Sequence, residues 1–184
     1  MGADKAFVTL HGRTLLVRAL ELARSVACDV RIVGDPAKFA PFAPVVEDLF
    51  RRCGPLGGIH AALRASETDL NLILAVDVPF VSAALLRYLI MRAKTCTAAT
   101  VTAACANGGW QPLCAVYRPQ FADAADAALG AGRYKIDALF DAQRTQMVRE
   151  EELESAGFFP AMFRNLNTQG ELEAAHQENV SGEG

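Results

Sequence analysis

The chain has 184 residues, of which 52% are hydrophobic and 21% are charged, and its net charge is -3 at pH 7. These values predict a single domain over residues 1–184 with a flexible tail at 179–184, and they exclude a largely disordered chain. The charge is evenly spread, without the basic stripe that nucleic acid requires, and no apolar run approaches the ~20 residues that span a bilayer. We therefore expect neither nucleic acid nor a membrane as a partner.

Five cysteines are present, at positions 28, 53, 96, 105 and 114, and none forms a CxxC pair. An odd number with this spacing argues against a disulfide framework and against a zinc site. The amino terminus lacks the basic-then-apolar pattern of a signal peptide. We therefore expect buried thiols and a cytoplasmic protein.

The opening MGADKAF is a polar loop with no apolar strand before it, although the residues after it resemble the second element of an α/β domain. Apolar residues at helical spacing predict an amphipathic helix in TLLVRALELARS. Two short β-branched runs follow, VRIVG (30–34) and APVVED (43–48). Both runs end in polar residues and are typical of buried parallel strands.

The next segment, GPLGGIHAALRAS (54–66), predicts a glycine-bearing loop that turns into a helix. LNLILAVDVPF (70–80) is the most apolar strand of the chain and is expected to be the central one. Ser82 is well placed to cap the helix that follows, because a serine side chain accepts a hydrogen bond from a first-turn amide.

The second half of the chain continues the alternation of strands and helices. ATVTAA (99–104) and QPLCAVY (111–117) predict strands joined by a turn in CANGGW, and TQMVRE predicts another strand. FADAADAALGAG, KIDALFDAQ and ELEAAHQE predict helices. This alternation indicates a doubly wound α/β fold with a mostly parallel sheet, in which ligands bind at the carboxyl ends of the strands.

Asp77 is the main candidate at such a strand end, since it follows the apolar run LNLILAV. Mg²⁺ favours one or two carboxylates together with substrate phosphates, which suits this position. The alternative is an acidic residue that only shapes a turn. Lys5, in the opening loop, would meet phosphates as a point charge, although an isolated surface lysine is more often simply solvated.

Six strings occur in this order along the chain: MGADK, VVED, CGPLGGI, LAVDVPF, QPLCAVYR and NLNTQGEL. Together they resemble the molybdenum cofactor guanylyltransferase (MobA) family, from residue 1 to about residue 175. The resemblance implies a three-layer, Rossmann-like nucleotidyltransferase fold and transfer of GMP from GTP to the phosphate of molybdopterin, with release of pyrophosphate and Mg²⁺ as cofactor. GTP and molybdopterin would be the substrates, and molybdoenzymes or their chaperones would be further partners.

The resemblance also assigns roles to individual residues. Lys5 and Asp77 would be catalytic, with Asp77 holding the metal. The positions that match the nucleotide-binding motifs are Gly2, Lys5, Gly34, Asp48, Gly54 and Asp77. Asn165 and Asn167 match the pterin side, or they shape a turn before the last helix. The family often has Asn where this chain has Gly34, so that contact is lost or is taken by Asp35.

In this family a strand and a glycine-rich stretch of the form GGxSxR run into MGxDK, and only MGADK is present here. Because that strand lies inside the sheet, its absence would expose two rows of unpaired backbone groups. Three explanations remain: a start codon assigned too far downstream, residues that belong to the molecule but not to this sequence, and a true truncation. The first two rank above the third.

Three other functions remain open. Two are enzymatic: a relative that uses CTP for the same pterin, and a nucleotidyltransferase that acts on a sugar phosphate. The third is a nucleotide-binding module without catalysis, which requires that the chain truly starts at Met1.

Overall fold

The computed structural model describes residues 4–50, 53–166 and 169–178; the predicted tail at 179–184 lies outside them. The strands are β1 (Thr9–Leu10), β2 (Arg13–Thr14), β3 (Ile32–Val33), β4 (Val45–Val46), β5 (Asn71–Leu74), β6 (Val101–Ala106), β7 (Gly109–Tyr117) and β8 (Thr145–Val148). The helices are α1 (Leu15–Arg24), α2 (Pro36–Phe39), α3 (Pro55–Arg64), α4 (Ala83–Thr95), α5 (Phe121–Gly130), α6 (Glu150–Ser155) and α7 (Gln169–Glu178).

The largest sheet has the strand order β5-β7-β6-β8. β7 is antiparallel to both of its neighbours, whereas β6 and β8 are parallel. Three of the four strands therefore run in one direction, and the sheet is mixed. β3 and β4 form a separate parallel pair, and β1 and β2 form a short antiparallel hairpin.

Helices cover both faces of the four-stranded sheet. On one face, buried residues of α3 and α5 pack against β6 and β7. On the other face, buried residues of α4 and α6 pack against β6, β7 and β8. Each helix buries the apolar stripe that its spacing predicts. This arrangement confirms the three-layer α/β fold.

Several local predictions are confirmed by hydrogen bonds and backbone angles. Ser82 accepts a hydrogen bond from the Leu85 N–H at 3.2 Å and caps α4. The predicted turn between β6 and β7 is a tight hairpin in which Asn107 and Gly108 have φ values of 55° and 72°. Two consecutive positive φ values match the twist of the flanking strands, and Asn-Gly tolerates them.

Two predictions are wrong. β5 is an edge strand of its sheet rather than the central one, because β7 pairs with it on one side only and β3 belongs to a separate pair. The segment KIDALFDAQ forms a single 3₁₀ turn, Asp137–Leu139, instead of a helix. The chain leaves this turn so that the Phe140 ring packs against Trp110, with ring centroids 4.9 Å apart.

Arg118 joins the last turn of α4 to the segments that precede β5 and β6. Its Nε donates to the Ala99 carbonyl at 3.1 Å, and its Nη2 donates to the Ala93 carbonyl at 3.0 Å. Its Nη1 pairs with the Asp69 carboxylate. These bonds fix the end of α4 and the approaches to β5 and β6.

No helix among the described residues is both long enough and apolar enough to cross a membrane. All five cysteines lie among the described residues and none of them is in a disulfide; Cys114 is buried and Cys28 is exposed. The prediction of buried thiols therefore holds for Cys114 but not for Cys28.

Burial of Cys114 raises the pKa of its thiol from 9.0 to about 12, because the thiolate loses hydration there. We predict that a thiol-specific reagent at pH 8 modifies Cys28 in the native protein, while Cys114 reacts only after unfolding. Mass mapping of the labelled peptides with and without denaturant tests this. Rapid native labelling of Cys114 would contradict the packing of β7.

Candidate active site

Lys5 and Asp77 meet at the carboxyl end of β5. The pairing with β7 extends one residue beyond the strand, since the Ala75 N–H donates to the Leu113 carbonyl at 2.8 Å. The chain then leaves the sheet and places Asp77 with its Oδ2 3.2 Å from the Nζ of Lys5. The side chains are 40% exposed for Lys5 and 22% exposed for Asp77. The two predicted catalytic residues therefore form an ion pair that a ligand can reach.

The backbone of Asp77 anchors a third segment. The Leu166 N–H donates to the Asp77 carbonyl at 2.9 Å. Leu166 is buried and packs with Leu10 and Leu15. Its neighbour Asn165 is exposed and precedes the residue that bonds to Asp77. The other predicted residues of these segments, Gly2 and Asn167, lie outside the described residues.

A short 3₁₀ turn, Lys5–Phe7, holds Lys5 in place. The Asp4 carboxylate caps this turn by accepting from the Ala6 N–H at 3.0 Å, and it also pairs with Lys38. The hydrogen bond from Lys38 lowers the pKa of Asp4. Ala6, the middle residue of the turn, is buried. The backbone at Lys5 is thus fixed by neighbouring residues. The pairing of Lys38 with Asp4 could not be predicted from the sequence.

Asp48 and Gly54 lie together at the amino end of α3. Asp48 Oδ1 accepts from the Phe50 N–H at 2.8 Å, and both oxygens of the carboxylate lie 3.0 Å from the place of a Cβ atom at Gly57. Gly54, the residue before α3, has φ 68° and ψ -163°, a conformation that is essentially confined to glycine. These contacts hold the Asp48 carboxylate against the positive end of a helix.

Gly34 and Asp35 have clear structural roles at the start of α2. A Cβ atom at Gly34 would lie 2.8 and 2.9 Å from two ring carbons of Phe39, so the ring fills the space that a side chain would need. Asp35 caps α2, with its Oδ1 accepting from the Ala37 N–H at 2.9 Å. One oxygen of the Asp35 carboxylate is thereby used to cap α2. The contact between the Phe39 ring and Gly34 could not be predicted from the sequence.

The carboxylates near Lys5 do not form a closed metal site. Within the described part of the chain, no group of three or more His, Cys, Asp or Glu side chains is placed to hold a metal ion. A single carboxylate such as Asp77 suits a Mg²⁺ ion that keeps several waters and also binds substrate phosphates. Asp77 therefore fits a metal ion whose other ligands are waters and the phosphates of a bound nucleotide.

Two neighbouring glycines of α3 allow a matched test of this packing. A Cβ atom at Gly57 would also lie 3.0 Å from the Phe50 carbonyl oxygen, whereas one at Gly58 would meet only Val33 Cγ1, at 3.6 Å. We predict that Gly57→Ala lowers the free energy of unfolding by ~1–3 kcal/mol, because well-packed sites resist added atoms. Gly58→Ala should be neutral or should stabilise by up to ~1 kcal/mol, because alanine favours helix. Urea unfolding of both variants measures the difference, and equal effects would contradict the Asp48 contact.

Comparison with known proteins shows which proteins this chain is similar to. A molybdenum cofactor guanylyltransferase from Desulfosudis oleivorans is 32% identical over 183 residues, which cover 98% of this chain and 90% of that protein. Its counterpart in Acidiphilium cryptum is 34% identical over 184 residues, covering 95% of this chain and 86% of that protein.

Among solved structures, molybdopterin-guanine dinucleotide biosynthesis protein A from Archaeoglobus fulgidus aligns with a TM-score of 0.83 and 25% identity, over 98% of this chain and 92% of that chain. The 2-C-methyl-D-erythritol 4-phosphate cytidylyltransferase from Thermus thermophilus aligns with a TM-score of 0.71, at 17% identity, over 96% of this chain and 94% of that chain. The second likeness shows the nucleotidyltransferase fold alone. The family model that describes a MobA-like NTP transferase domain matches residues 1–147, and the chain belongs to that family.

Proposed function

We propose that this protein transfers GMP from GTP to the phosphate of molybdopterin and releases pyrophosphate. The observation that carries the proposal is the contact between Lys5 and Asp77, which brings an ammonium and a carboxylate together at the carboxyl end of β5. In α/β folds this end of the sheet is where nucleotides bind. The names of the curated relatives from Desulfosudis oleivorans and Acidiphilium cryptum support the choice of GTP and of the pterin.

Both substrates are polyanions, so the first requirement is to offset their repulsion. The partly exposed ammonium of Lys5 is placed to contact nucleotide phosphates. Asp77 is the residue that would hold Mg²⁺, which when bound supplies positive charge to the phosphates and helps to orient them. An exposed ion pair contributes only ~0–1 kcal/mol to the free energy of unfolding. Breaking the Lys5–Asp77 pair, so that each side chain can contact a ligand instead, therefore costs little free energy.

Three further residues complete the proposed site. Gly54 brings no side chain to the amino end of α3, and apart from its chain neighbours no described residue lies within 4 Å of a Cβ atom placed there. Backbone amides at such an end favour negatively charged ligands. Asp48 would contact the guanine or ribose region, and Asn165 would contact the pterin. Asn165 suits that role because it is exposed and adjoins the segment that is anchored to Asp77.

The reaction is an in-line displacement at the α-phosphorus of GTP. An oxygen of the molybdopterin phosphate forms the new P–O bond as the bond to the β-phosphate oxygen breaks, and the electron pair leaves with pyrophosphate. No side chain has to remove a proton, because the phosphate nucleophile is already ionised. The task of the protein is therefore to position the two substrates and to stabilise the developing charge.

We predict that Asp77→Asn lowers the rate of pyrophosphate release from GTP and molybdopterin by about 100-fold or more, because the carboxylate that would hold the metal is lost. Asp123→Asn is the matched control: Asp123 is an exposed residue of α5 that pairs with Arg64. Circular dichroism should show that both variants are folded. Full turnover by Asp77→Asn would refute the metal role. GTP binding without any turnover by the unaltered chain would instead favour a non-catalytic nucleotide-binding module.

We also predict that Lys5→Met lowers kcat/KM for GTP by roughly 100-fold, whereas Lys5→Arg retains part of the activity because it keeps the charge. Lys94→Met, at the exposed end of α4, is the control. Steady-state assays with GTP, and with CTP in parallel, measure both the loss and the preference for the base. Equal rates for Lys5→Met and the unaltered protein would contradict the phosphate contact, and faster turnover of CTP would contradict the choice of guanine.

A further inference from the structure

The short helix α2 contacts both ends of the 3₁₀ turn that carries Lys5. At the residue before the turn, the carboxylate of Asp4 pairs with the Nζ of Lys38, which belongs to α2. At the last residue of the turn, the Phe7 ring stacks on the Phe39 ring of α2, with the ring centroids 6.0 Å apart and the planes inclined by 8°. The Lys5 turn is therefore held by two contacts with one helix.

The ammonium group of Lys38 takes part at both ends of the turn. Its Nζ lies 5.2 Å from the centroid of the Phe7 ring and 5.3 Å from that of the Phe39 ring. A cation within ~6 Å of an aromatic face is attracted by the negative face of the ring. The same ammonium is bound to the Asp4 carboxylate. A change at Lys38 therefore affects the residues before and at the end of the Lys5 turn together.

The Asp4 carboxylate transmits this contact to Lys5. Its Oδ1 accepts from the Ala6 N–H at 3.0 Å, while its Oδ2 is the oxygen that meets Lys38. The backbone of Lys5 lies between Asp4 and Ala6, and its Nζ reaches Asp77 Oδ2 at 3.2 Å. Because the ion pair on Oδ2 restricts rotation of the carboxylate, it also fixes the oxygen that caps the turn. The orientation of Lys5 therefore depends on Lys38.

The position of Lys38 is fixed in turn by packing at the end of β3. Asp35 caps α2 by accepting from the Ala37 N–H at 2.9 Å. The Phe39 ring lies so close to Gly34 that a Cβ atom there would be 2.8 Å from a ring carbon. These contacts leave α2 little freedom to move relative to β3. Lys38 is therefore a stable support for the Lys5 turn.

We propose that Lys38 is a positioning residue, which acts through Asp4 to hold the Lys5 ammonium in the orientation that contacts the nucleotide phosphates. This role rests on the proposed function, since it takes the phosphates to be the ligand of Lys5. Lys38 itself does not contact the substrate, because its ammonium pairs with Asp4 and lies over two aromatic rings.

The titration of Asp4 reports the Lys38 contact independently of turnover. Among the described residues, Lys38 is the charged group that acts on this carboxyl, and its hydrogen bond lowers the pKa of Asp4 below the ordinary value of 3.8. We expect the Asp4 carboxyl to titrate at a higher pH in Lys38→Met and to keep its lowered pKa in Lys38→Arg, which retains a cationic donor. Carbon-13 NMR of the carboxyl groups measures the titration. An unchanged titration in Lys38→Met would overturn the proposal.

Combined substitutions separate positioning from direct contact with the substrate. We expect Lys38→Met to lower kcat/KM for GTP by roughly 5-fold, a modest loss because a partly exposed ion pair is weak. Asp4→Asn should lower it equally, since the amide oxygen still caps the turn but carries no charge. Lys38→Arg should retain most of the activity, and Lys94→Met controls for the loss of a surface charge. In a Lys5→Met background, Lys38→Met should cause no further loss, because the ammonium that it positions is absent.

The proposal is overturned if Lys38→Met leaves kcat/KM unchanged, or if it causes the same 5-fold loss in the Lys5→Met background, since Lys38 would then act independently of Lys5. Failure of the proposed function gives a different result: the unaltered chain binds GTP in titration calorimetry but releases no pyrophosphate with molybdopterin. The Kd for GTP then replaces kcat/KM, and the same dependence of the Lys38→Met effect on Lys5 supports the positioning role. A chain that does not bind GTP would overturn both proposals.

Discussion

Asp77 joins three segments that are far apart in the sequence. Its carboxylate contacts Lys5, 72 positions away, and its carbonyl accepts from the Leu166 N–H. The polar contacts themselves are weak, since a partly exposed ion pair contributes ~0–1 kcal/mol. The arrangement is stabilised instead by the buried residues beside them, Ala6 and Leu166. Because the buried residues rather than the ion pair stabilise the backbone, it can stay in place while the charged side chains change partners.

The two ends of the main sheet differ in how far their charged side chains are exposed to solvent. At the end where β5 and β6 begin, the Arg118 guanidinium bonds to two carbonyl oxygens and one carboxylate, and its side chain is only 11% exposed. At the other end, the side chains of Lys5 and Asp77 are more exposed, at 40% and 22%. The hydrogen bonds of Arg118 hold the loops at the first end in place, whereas Lys5 and Asp77 at the second end can contact a ligand.

Local patterns in the sequence predicted most of the elements, because helix caps and tight turns are encoded by neighbouring residues. Ser82 and the Asn107–Gly108 turn are examples. The edge position of β5 was not predictable in this way, because strand order depends on pairing between distant segments. Asp77 was a candidate from its position after an apolar strand and Lys5 from its place in the opening loop, but their contact and the anchoring of Leu166 became visible only in three dimensions. The single 3₁₀ turn at Asp137–Leu139 follows from packing around Trp110, which helical periodicity does not report.

The packing of Phe39 against Gly34 makes substitutions at these two positions depend on one another. A side chain at position 34 would collide with the ring at 2.8 Å, and removal of the ring alone would leave a gap in the cluster that it shares with Val30 and Ile32. Either change by itself is unfavourable, whereas a larger residue at 34 together with a smaller one at 39 conserves volume. A lineage that acquires a polar side chain at the end of β3 is therefore expected to lose the aromatic ring five residues later, and the two changes should be inherited together.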